Sequence, residues 1–227
     1  AIASGGTPSL QYQWYSNTLN ANTGGTSIDG ATLASYTPSS SSAGTTYYYA
    51  VVSASGSACN SISSEVKAVL VNALPTVSAG ADQTVCAGTA VTLSGSGATS
   101  YSWNNSVLNG VSFTPSSTTT YTVTGTDANG CTNTDQVTVT VNALPTATIT
   151  AGGPITFCSG GSVVLTASSG SSYLWSTGAT TASITVSTTS SPTVTVTDGN
   201  GCSATSTAAS VTVNALPTAT ISAGGPT

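Results

Sequence analysis

Five cysteines and six acids are the groups in this chain best suited to chemistry. Cys86 and Cys131 stand 45 residues apart, and Cys158 and Cys202 stand 44 apart. In each pair the first cysteine precedes an apolar run, and the second follows an Asp-x-Asn-Gly stretch, Asp127 to Gly130 or Asp198 to Gly201. Equivalent placement in two stretches favours two disulfides, Cys86 with Cys131 and Cys158 with Cys202, over free thiols or metal ligands. Each would close a loop worth on the order of 4 kcal/mol and implies an oxidising, extracytoplasmic compartment. Cys59 follows the corresponding turn of an earlier stretch that has no earlier cysteine, so it is expected to be unpaired within the chain.

The acids point away from catalysis. Asp127 with Asn129, and Asp198 with Asn200, could offer oxygens to a calcium ion. A hairpin turn asks for the same residues, and calcium wants about six to eight oxygens with several carboxylates, so the turn is the stronger reading. No other metal and no cofactor is expected. The chain has no histidine, which removes the usual general base and any Ser-His-Asp arrangement. The acids form no recurring pair of the glycosidase kind, and no phosphate-binding loop occurs. The chain is therefore expected not to be an enzyme. Asn104, Asn105 and Ser106 spell a formal N-glycosylation site.

Charge narrows the partners. Lys67 is the only basic residue and the net charge is -5, so nothing could displace counterions from a nucleic acid or hold an anionic membrane. Ser and Thr exceed a third of the chain, leaving solubility to hydroxyls and making the surface indifferent to salt. No apolar run reaches the roughly 18 residues of a membrane helix, so no membrane insertion is expected. Residues 1–20 lack the basic start and apolar block of a signal peptide, so a secreted protein would carry its signal upstream.

The elements that must place these groups repeat. VNALPT begins at residues 71, 141 and 213, a period suited to a small β domain. Within a period, runs such as YSW from Tyr101, YTV from Tyr121 and VTVTV from Val137 alternate apolar with polar residues, the mark of a strand with one buried face. YLW from Tyr173, VTV from Val194 and VVL from Val163 follow the same plan. About seven antiparallel strands per module, folded as a two-sheet sandwich, are expected. The modules are 1–72, lacking its first strand, then 73–142 and 143–214, with 215–227 the first strand of a following module. Residues Asn17 to Ala31 are an insertion peculiar to the first copy. Trp14, Trp103 and Trp175 are equivalent and expected in the cores. Pro75, Pro145 and Pro217 should stiffen the junctions, and Leu74, Leu144 and Leu216 should plug them, giving a semi-rigid rod.

These residues resemble the immunoglobulin-like tandem repeats of secreted surface and adhesin proteins of Bacteroidota. The resemblance is carried by C-x-G-x-x-V-x-L, Y-x-W-S-T-G, Y-T-V-T-x-T-D-x-N-G-C and V-T-V-N across residues 86–142 and 158–214. The first copy resembles a sister variety through Y-Q-W-Y-S-N, T-G-G-T and Y-T-P-S. Two departures stand out: NNS at 104–106 in place of S-T-G, and Pro192 in place of the aromatic at Tyr121 and Tyr49, whose hydroxyls are expected to bond a neighbouring loop.

The resemblance implies an all-β, extracellular or cell-surface structural segment of a fibre, stalk or filament, with neighbouring copies or adjoining repeats as partners. The alternative is an adhesin module recognising a glycan or a cell surface through the first-copy insertion, with Tyr15, Tyr36 and Tyr47 to Tyr49 as candidates. The terminal strand is expected either to continue into a further repeat or to be donated to another subunit.

Overall fold

The computed structural model describes residues 9–54, 61–222 and 224–225. Nineteen strands and no helix occur among them. The backbone groups into two compact units. Ala1–Ser78, Gly95–Ser102 and Val123–Asp135 make the first, and Ala79–Ser94, Trp103–Thr122 and Gln136–Thr227 the second.

The first unit opens with β1 (Leu10–Asn17), β2 (Thr26–Ser27), β3 (Gly44–Ala54), β4 (Ile62–Ser63) and β5 (Lys67–Val71). All five lie in one sheet, ordered β2-β1-β3-β4, with β5 also paired to β3. Tyrosine, valine and threonine dominate β3, the residue types that suit a pleated, half-buried surface. Its register against β1 sets Tyr12 opposite Val52, Trp14 opposite Ala50 and Ser16 opposite Tyr48. Opposed residues share a face, so Tyr12, Trp14, Tyr48 and Val52 form one aromatic and aliphatic face.

The second repeat supplies β6 (Gln83–Cys86), β7 (Val91–Thr92), β8 (Ser100–Trp103), β9 (Ser112–Phe113), β10 (Thr119–Thr126) and β11 (Thr132–Asn142). One sheet runs β6-β11-β10-β8, and β7 pairs β9 in another. The unit boundary falls inside β8, β10 and β11. Alternation is visible in the burial of Tyr121 and Val123 on β10 and of Val137 and Val139 on β11. β6 joins β11 in parallel, from Gln83 at Val139 to Cys86 at Asn142.

The third repeat lies in the second unit and restates this plan with β12 (Ile149–Ala151), β13 (Thr156–Cys158), β14 (Val163–Ala167), β15 (Ser172–Trp175), β16 (Ser183–Val186), β17 (Val194–Thr197), β18 (Ser203–Thr205) and β19 (Thr212–Asn214). The sheets β12-β14-β16 and β15-β17-β18 face each other. Val163, Leu165 and Val186 from one sheet and Trp175, Val194 and Val196 from the other meet in a single buried cluster. The face-to-face sandwich is therefore realised here. β13 pairs β19 in parallel, with Cys158 opposite Asn214.

Two expectations are corrected. Leu74, Leu144 and Leu216 are 63%, 48% and 63% exposed, so they do not act as plugs. Pro75 is buried instead, and its carbonyl accepts a bond from Asn133 Nδ2 at 3.0 Å. The expected cysteine pairing also fails, for a reason that lies in the strand order. Cys158 stands at the turn that begins β14, where Gly161 N donates to Cys158 O. Cys202 stands beyond the other end of β14, where Ser171 N donates to Thr197 O just before the Asp198 turn. Five strand residues span roughly 17 Å, far beyond the about 7 Å between Cα atoms that a disulfide tolerates. In the second repeat, Cys131 immediately precedes β11 and Cys86 pairs with the last residue of β11, Asn142. Eleven residues of strand separate them. The structure joins Cys86 to Cys202 across 116 residues, and Cys131 and Cys158 are thiols.

Candidate functional site

Each cysteine-bearing turn is closed by its aspartate. Asp127 Oδ1 accepts from Asn129 N and Cys131 N, both at 2.8 Å. Asp198 Oδ1 accepts from Asn200 N and Cys202 N, both at 2.9 Å. This is the Asx-turn use of aspartate. The carboxylate oxygen offered as a calcium ligand is thus already aimed at two backbone N–H groups. Among the described residues no three or more His, Cys, Asp or Glu gather as a metal group. Cys59 lies outside the described residues.

The three tryptophans are bound in the same way. Trp103 Nε1 donates to Asn109 Oδ1 at 3.0 Å, Trp175 Nε1 to Thr181 O at 2.8 Å, and Trp14 Nε1 to Leu33 O at 2.9 Å. The acceptor lies six residues on in the later repeats and 19 in the first. The difference, 19 less 6, places 13 extra residues in the first-copy insertion. Trp103 and Trp175 are buried, at 8% and 1% exposure. Trp14 is only half-buried.

That insertion folds back on β1 through β2, which pairs Tyr15 with Ser27. Asn17 Nδ2 donates to Ala21 O and Thr23 O, and Gln13 Nε2 reaches Ile28 O at 2.7 Å. Around it the aromatics form two groups. Tyr36 contacts both Trp14 and Tyr48, with ring centroids 5.9 and 5.8 Å apart. Across the sheet Tyr15 stacks on the buried Tyr49 at 5.2 Å, and Tyr49 Oη accepts from Gly25 N at 3.1 Å. Tyr47 is half-buried on the same strand. The Tyr49 hydroxyl therefore bonds a loop as expected, while Tyr121 packs its ring edge against Phe113.

Two features escaped the sequence reading. Tyr101 Oη donates to Ala98 O and accepts from Ala98 N. Tyr173 Oη does the same with Gly170. The tyrosine of each Y-x-W thus locks the loop before its own strand, a role its spacing of three could have signalled. Asn105 and Ser106 adopt φ of 54° and 60°, and Gly178, the counterpart of Ser106, adopts 85°. The NNS departure therefore keeps the left-handed turn without its glycine. Asn104, the acceptor of the formal glycosylation site, is exposed, and its Oδ1 accepts from Thr122 N.

In the third repeat, β12, β14 and β16 face β15, β17 and β18 over the buried Trp175 of β15, which is the immunoglobulin-like β-sandwich. A family model described as "Domain of unknown function (DUF8696)" matches residues 1–73. No curated protein matches the chain. Among solved structures, extracellular domains 3–5 of Drosophila OTK share 13% identity, covering 92% of this chain and 86% of that one at a TM-score of 0.33. A Ca2+-stabilized adhesin that helps an Antarctic bacterium reach out and bind ice shares 17%, covering 94% and 67% at 0.32. The ICAM-5 D1–D4 ectodomain fragment shares 14%, covering 93% and 70% at 0.37. The fold assignment rests on the strand order of the chain itself.

Proposed function

We propose that this chain is a non-catalytic stretch of an extracellular stalk, fibre or surface filament built from tandem immunoglobulin-like modules at 1–72, 73–142 and 143–214. The observation that carries the proposal is repetition of structure as well as text. The second and third repeats share the parallel pairing at Cys86 and Cys158, the aspartate-closed turns and the indole bonds. A chain that restates one scaffold without restating a reactive constellation invests in length. The disulfide suits an oxidising compartment outside the cytoplasm. The span of the family-model match, residues 1–73, supports treating the first module as a unit. Antibody against residues 143–214, followed by electron microscopy of intact cells, should decorate surface fibres. Label confined to the cytoplasm would overturn the proposal.

A second reading, adhesin-type recognition of a glycan or cell surface, is favoured by the half-buried Trp14, Tyr36 and Tyr48 beside the insertion. Aromatic faces suit sugar rings. Binding on a glycan array that is lost in Tyr36→Ala and on deletion of residues 17–31 would support it. Binding indifferent to both changes would exclude that face.

A further inference from the structure

The disulfide joins two positions that each recur in the chain. Cys86 closes β6 opposite Asn142, and Cys158 closes β13 opposite Asn214, both on parallel rungs. Cys202 follows the Asp198 turn, and Cys131 follows the Asp127 turn, each with its N–H on the aspartate. Each of the two thiols thus occupies a position whose counterpart is bonded. The bond observed runs from the strand cysteine of one repeat to the turn cysteine of the next.

We propose that the cysteines form a ladder between repeats, in which Cys158 takes the turn cysteine of a following repeat and Cys131 takes the strand cysteine of a preceding one. The strand order forbids the pairing within the third repeat, as shown above, so each thiol must look outside its own module. Cys158 is exposed and Cys131 half-buried, and both are therefore within reach of a partner. The ligand is an Asp-x-Asn-Gly-Cys turn for Cys158 and a strand-closing cysteine for Cys131. Bond formation removes two protons and two electrons from the paired thiols. A disulfide-class oxidant accepts the electrons: the Cys158 thiolate attacks its sulfur to give a mixed disulfide. The incoming turn thiolate then displaces the second sulfur, and the oxidant leaves as two thiols. The ladder rests on the stalk reading only in needing a further repeat, which the same chain or a neighbouring one could supply.

The test extends the full chain. Residues 214–227 restate residues 142–155, so appending residues 156–214 after Thr227 completes a fourth repeat. After oxidation in a glutathione redox buffer, peptide mapping should show Cys158 joined to the appended counterpart of Cys202, with Cys86 still joined to Cys202. A monomer on a non-reducing gel assigns the partner to the same chain, and a covalent dimer assigns it to a neighbouring one. Cys158 joined to its own Cys202, Cys86 joined to Cys131, or Cys158 still fully open to alkylation would overturn the ladder. Cys202→Ser gives a second reading. The ladder predicts that Cys86 becomes alkylatable while Cys158 stays bonded, whereas pairing within modules predicts that Cys158 is released. Mapping reads the cysteines of the chain alone, so its outcome is separate from whether cells display the protein in fibres.

Discussion

Trp14, Trp103 and Trp175 answer the same sequence position, yet only the latter two are buried. Truncating a buried tryptophan removes its transfer energy and leaves a cavity, so Trp175→Ala should cost about 3–5 kcal/mol. Trp14→Ala should cost less than half of that, and denaturant melts of both variants check the difference. The aspartates act at the same scale. Asp198→Ala strips the acceptor from Asn200 N and Cys202 N and should cost about 1–2 kcal/mol. Asp198→Asn, which keeps an oxygen there, should cost less. The loss should be the same with added calcium or with a chelator, because the role is to close a turn. A loss abolished by removing calcium would instead assign the carboxylate to a metal.

At the scale of elements, the turn after Trp103 offers a direct comparison with that after Trp175. Ser106 holds φ of 60° where Gly178 holds 85°, and a Cβ in the left-handed region costs roughly 1–2 kcal/mol. Ser106→Gly should therefore raise stability by about 1 kcal/mol, seen as a higher denaturation midpoint. No change would show that the serine is unstrained. Strands were legible in the sequence because alternation at Tyr121, Val123, Val137 and Val139 is a one-dimensional record of which side is buried. The turns were legible because Asp, Asn and Gly have local reasons to be where they are. The cysteine pairing was not. Equal spacing in two copies records equivalence between copies and carries no information about which end of a module a residue occupies. That information came from the parallel rungs at Cys86 and Cys158, which are long-range contacts. Junction leucines misled for a related reason, since leucine on a surface is ordinary.

At the scale of the whole molecule, the scarcity of charge has a measurable result. The one ion pair among the described residues, Lys67 with Glu65, is highly exposed on both sides and belongs to a class worth little. Melting temperatures between low salt and about 0.5 M sodium chloride, where the Debye length has fallen well below 10 Å, should agree within about 2 °C. A larger shift would reveal charge interactions beyond this pair. The bond between Cys86 and Cys202 has another consequence, a mechanical one. A pull on the two ends of the chain passes through the sulfurs, so residues 87–201 bear no tension and cannot be drawn out. At about 3.4 Å per extended residue, a sequence separation of 116 hides roughly 400 Å of contour length. Force spectroscopy under reductant should release that length, and without reductant should not. Under traction the chain behaves as a short tether with a redox-gated reserve of slack.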